Sequence, residues 1–146
     1  MTRKADFTEE EWELVREGPP TAGIVAASAS RGGSFRESWA IAKAYTEARK
    51  ARGASELLDD LVADKPKTKR YASPEAAESE GLQRLRDAVA LLEQKASPGE
   101  VDGYRHFTLD VAERAAEAHK EKGEAESVSS AEREAIEKIA ASLNPS

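Results

Sequence analysis

The residues best spaced for chemistry form one row, His106, Asp110, Glu113 and Glu117. Steps of four, three and four residues put all of them on one helix face. An imidazole with carboxylates is a donor set for a divalent cation. The row stands about 160° around the helix from Tyr104 and Val111, at ~100° per residue, so it belongs to a solvated charged face. The Glu-x-x-His pairing of di-iron bundles is missing, because Glu113 leads to Ala116 and Glu117 to Lys120. His119 follows Ala115 at the edge of the same helix, and no nucleophile pairs with it by spacing. A small helical enzyme would have to use His106 or His119.

Three other features have a chemical and a plain reading. Ser30-Arg31-Gly32-Gly33-Ser34 precedes a helix, and helix N-termini attract phosphate. It lacks P-loop spacing and any preceding strand, so it reads as an interhelical loop. Lys65, Lys67, Lys69 and Arg70 form the one basic segment and could meet an acidic partner. A solubilising linker is the better reading for so few charges. Trp39 and Tyr45 could line a pocket, but aromatics at helical spacing are usually core.

The elements that would position these groups are helices. Thr8 and Glu11 make a capping box, with Phe7 and Trp12 as its hydrophobic staple. That first helix is expected to stop at Gly18-Pro19-Pro20, and a second, small-residue helix to run from Pro20 to Ala29 at the centre of a bundle. A third spans Ser34 to Arg52, with Phe35, Trp39, Ala42 and Thr46 on one stripe and Ile41, Tyr45 and Ala48 beside it. Gly53 is its natural stop. Leu57, Leu58, Leu61 and Val62 mark a short helix ending near Asp64.

Ser73-Pro74 starts the next helix, whose seam is Leu82, Leu85, Val89, Leu92 and Ala96. Ser97 and Glu100 open another, running to Lys122 with Tyr104, Thr108, Val111 and Ala115 inward. Ser129 and Glu132 form a capping box for the last, carrying Ile136, Ile139, Ala140 and Leu143. The sum is an all-α bundle of about seven helices in a single domain, 1–146. Two halves, 7–64 and 73–144, are joined by the basic connection 65–72. No stretch alternates in the manner of a strand.

Composition limits the function classes. The chain has 146 residues, 27 of them alanine, with 39% hydrophobic and 34% charged residues. Small residues in that number suit closely packed helices. A net charge of −6 opposes nucleic-acid binding over the whole surface. With no cysteine, disulfides and thiolate metal sites are excluded, and two histidines cannot build a multi-histidine centre. No secretory signal or apolar span is legible, so a cytoplasmic location without membrane insertion is expected.

The stretch VAERAAEAHKEKGEAESVSSAEREAIEKIAASL, from Val111 to Leu143, resembles the closing helix–loop–helix of TerB-like proteins, the all-helical tellurite-resistance family. Glu132, Ile136, Ile139, Ala140 and Leu143 match that family's E-x-x-x-hydrophobic-x-x-I-A-x-x-L ending. Ala22 to Ala48 looks like a second version of the same unit. The resemblance implies two pseudo-repeated helical halves, a stress-related role and a divalent cation held by acids of the loop. Here those acids would be Glu124, Glu126 and Glu132. Ala125 and Ser129 stand where the family pattern has acids.

The expectation is therefore a non-enzymatic binding protein without a cofactor, whose partner is a protein or a second copy. A divalent-cation-binding stress protein and a small enzyme are the competing readings.

Overall fold

A computed structural model describes residues 2–28, 35–51, 53, 55–66, 71–117 and 130–144. After a 3-10 turn at Lys4–Asp6 come six α-helices: α1 Glu9–Ser28, α2 Phe35–Lys50, α3 Glu56–Ala63, α4 Pro74–Lys95, α5 Pro98–Glu117 and α6 Ser130–Leu143. No strand occurs among the described residues. No described helix is long and apolar enough to cross a membrane.

The helix starts follow local chemistry. Thr8 and Glu11 hydrogen-bond each other's backbone N–H at 2.9 and 3.1 Å, and the Phe7 and Trp12 rings meet at 5.6 Å. The Ser55 hydroxyl accepts from Leu58 N–H at 3.1 Å and that of Ser73 from Ala76 N–H at 3.0 Å. Ser97 and Glu100 form the reciprocal pair for α5. Each such cap is worth about 1 kcal/mol. α2 gives way to Gly53, whose φ of +114° favours glycine. The Ser129–Glu132 box lies outside the described side chains.

Among the described residues six helices stand where seven were expected, because α1 runs straight through Gly18-Pro19-Pro20. A proline inside a helix leaves the carbonyl four residues earlier without its donor. For Pro19 that carbonyl belongs to Val15, and the Tyr104 hydroxyl of α5 donates to it at 2.8 Å. Gly18 makes room for this approach: a Cβ there would lie 1.9 Å from the Tyr104 oxygen. A buried tertiary hydrogen bond thus replaces the helical one lost at Pro19, the first of the two prolines.

α1 is the central helix and packs on α2, α4, α5 and α6. Gly18 through Gly23 are all buried. The main core joins Val15, Ala22, Val25 and Ala26 to Leu57, Leu61, Leu85, Val89, Leu92, Ala112, Ile139 and Leu143. A smaller cluster, Ile41, Ala44, Tyr45, Val62, Val111 and Ala115, seats α2 and α3 on α5. Glycine sets two more close approaches: a Cβ at Gly81 would be 2.6 Å from Val25 Cγ2, and one at Gly23 2.8 Å from Ile41 Cδ1.

Glu100 also ties down the N-terminal segment. Its Oε2 accepts from Thr2 N–H at 2.9 Å. The buried Thr2 hydroxyl lies 2.9 Å from Oε1 and 3.1 Å from the Lys95 carbonyl. Burial pushes the Glu100 carboxyl up, but hydrogen bonds from Ser97 and Thr2 outweigh it and hold the pKa at about 2. A carboxyl whose pKa is depressed on folding stabilises the fold above its unfolded value, near 4.5, and that contribution is lost as pH falls towards 2. Between those limits Glu100→Gln is expected to show a flatter loss of melting temperature than the parent chain. Equal slopes in parallel thermal melts would show that the carboxylate contributes nothing.

Candidate functional site

The inward face of α2 is Ile41, Ala44, Tyr45 and, half-buried, Ala48. The stripe through Trp39, Ala42 and Thr46, read as core, is the solvent side, and the Phe35 side chain lies outside the described set. The reason is visible in α2 itself. Ile41, Ala44, Tyr45 and Ala48 form a stripe free of polar residues, and Ile41 and Tyr45 fill the space beside Gly23, Val62 and Val111. Trp39 and Tyr45 therefore part company. Tyr45 is core, packed edge-on to Phe107 at 5.2 Å, and burial pushes its phenol pKa up. Trp39 is 65% exposed, the one large apolar side chain left in solvent among the described residues.

Trp39 forms one wall of an open groove between α2 and α5, of about 450 Å³, with Ala40 and Lys43. Asp110, Glu113, Arg114 and Glu117 form the other. The Lys43 ammonium sits 5.1 Å from the Trp39 ring centroid. Arg114 bridges the helices, giving Nε to Asp110 at 3.0 Å and Nη1 to Glu47. Burial alone would lower the Arg114 pKa, but the bonds from Glu47 and Asp110 outweigh it and raise it further. Glu113 and Glu117 are exposed and enter no ion pair among the described residues.

The carboxylate row is thus divided. His106, Glu113 and Glu117 are exposed, as a solvated face requires, while Asp110 is half-buried against Arg114. Three of the four residues line the groove, and His106 does not. No group of three or more His, Asp or Glu among the described residues is arranged to hold a metal ion.

Other candidates fall elsewhere. His119, Glu124 and Glu126, the loop Ser30–Ser34 and the basic residues Lys67, Lys69 and Arg70 lie outside the described residues, as does the Glu132 side chain. Lys65 is exposed beside Pro66.

The lining combines one aromatic ring, three carboxylates and two cations. Sequence reasoning missed it by giving Trp39 to the core. The uninterrupted apolar stripe Ile41–Ala44–Tyr45–Ala48 was the signal that would have turned Trp39 outward. Comparison of the chain with family models, curated proteins and solved structures finds no match. The TerB-like resemblance therefore rests on sequence alone, on residues 111–143 and, as a second version, 22–48.

Proposed function

We propose that this chain acts by binding a protein partner rather than by catalysis, and that the α2–α5 groove around Trp39 is its contact surface. The observation that carries the reading is the 65% exposure of Trp39 in a chain that buries its other tryptophan to 4%. Covering a largely exposed indole removes on the order of 150 Å² of mostly apolar surface, worth about 3–4 kcal/mol at ~25 cal/mol per Å². Tryptophan is also the residue most enriched among the few that dominate interface energies. The Arg114 bridge to Asp110 and Glu47 supports the reading, because it holds the two walls of the groove together before a partner arrives.

Trp39→Ala separates binding from folding, since the side chain contributes little to the core. Its melting temperature is expected to stay close to the parent's. Binding, read by affinity capture of a discrete partner or by sedimentation of a second copy, is expected to weaken at least tenfold. Unchanged binding in Trp39→Ala would overturn the proposal, as would a parent chain that sediments as a monomer at every concentration and retains no partner.

A further inference from the structure

Resting on that groove, we infer that its occupant is a cationic segment of another protein, one that lays an arginine or lysine between Trp39 and the α5 wall. The charges around the groove do not cancel. Arg114 is taken up by two carboxylates, Asp110 and Glu47. Lys43 is held over the indole ring. Glu113 and Glu117 are left, one turn apart on the same face of α5 and without a cation of their own among the described residues. The Lys43 ammonium, one turn along α2, lies 5.1 Å from the ring centroid, so an incoming cation would displace it from the ring or share the indole with it. A guanidinium entering from outside would meet the indole with its stem and two carboxylates with its head.

The same charges argue against other occupants. A second copy docked through the same groove would bring its own Glu113 and Glu117 to the interface and so double the acids left there without a cation. A nucleic acid would bring phosphates against carboxylates. The net charge of −6 steers cationic segments towards the chain and repels acidic ones.

The test is calorimetric titration of the full chain with a short peptide alternating arginine and alanine, at low salt, with Trp39 fluorescence as a second readout. Saturable binding is expected, weakening as salt is added. The double variant Glu113→Gln/Glu117→Gln and the single variant Trp39→Ala should each weaken it at least tenfold. Glu80→Gln/Glu137→Gln removes the same charge from exposed positions on α4 and α6, and should leave binding within about twofold. A matching peptide of glutamate and alanine should not bind.

Equal losses in the two double variants would mean that the peptide senses only the acidic field of the chain, which overturns the inference. Absence of peptide binding does the same, and so does dimerisation through the groove. If Trp39→Ala still loses its protein partner while the arginine peptide fails to bind, the contact surface stands and only the cationic occupant falls.

Discussion

Gly18→Ala is expected to destabilise the fold by about 3–5 kcal/mol, combining overpacking with stranded polar groups. Helix propensity alone argues the other way, since alanine in a helix interior is favoured over glycine by about 1 kcal/mol. Sterics decide the sign. The new Cβ would lie 1.9 Å from the Tyr104 oxygen and 3.0 Å from its Cζ. Tyr104 is fully buried, so the ring has no solvent-side escape. Displacing it breaks the bond to the Val15 carbonyl, which Pro19 cannot replace because it carries no N–H. A buried carbonyl and a buried hydroxyl are then both stranded, at about 1–3 kcal/mol each.

Tyr104→Phe removes the hydroxyl but keeps the ring, and should cost about 1–3 kcal/mol through the stranded carbonyl alone. In the double variant the shortest clash disappears with the oxygen. Its stability is expected near that of Tyr104→Phe, with a coupling of about 3 kcal/mol or more in the cycle, since the cost of Gly18→Ala then disappears. Urea unfolding of the four proteins measures this. A Gly18→Ala chain as stable as the parent would remove the packing account of α1.

That arrangement shows where reading the sequence stops. The caps at Thr8, Ser73 and Ser97 were legible because each pairs residues three apart in the chain. The seams of α4 and α5 were legible because burial on one face imposes a helical period on the letters. The continuity of α1 was not, since the donor that mends it lies 89 residues away. Gly18-Pro19-Pro20 carries every local sign of a stop, and only the tertiary partner reverses it. Trp39 failed for a related reason. Two adjacent stripes of α2 carry aromatic residues, and helical spacing alone does not say which of them faces the core. The space available beside Gly23 and Val62 accepted Ile41 and Tyr45 instead. Of the acids in the α5 row, Glu113 and Glu117 do face solvent while Asp110 is half-buried against Arg114, and a row on one helix does not reveal which neighbour stands across from it.

The second large effect is expected in α6, where two kinds of attachment can be weighed against each other. Lys138 pairs with Glu78 of α4 at 2.7 Å, with side chains 44% and 43% exposed. An exposed pair of that kind contributes about 0–1 kcal/mol, and salt screens it. Ile139 is fully buried in the main core, beside Leu143 on the same face of the helix. Its truncation to alanine should cost about 2–5 kcal/mol, from lost transfer energy and the cavity left behind. Ile139→Ala is therefore expected to lower the urea midpoint several times further than Lys138→Ala. The Arg105 guanidinium, which donates to the Leu143 carbonyl at 2.6 Å, anchors the last turn by supplying a donor that the helix end lacks. With Ile139 truncated, that anchor alone cannot hold the face down, so amides of α6 should lose hydrogen-exchange protection before those of α1. Equal midpoints for Ile139→Ala and Lys138→Ala would mean that charge, rather than apolar burial, fastens this helix, and the account of the core would have to be rebuilt around its surface.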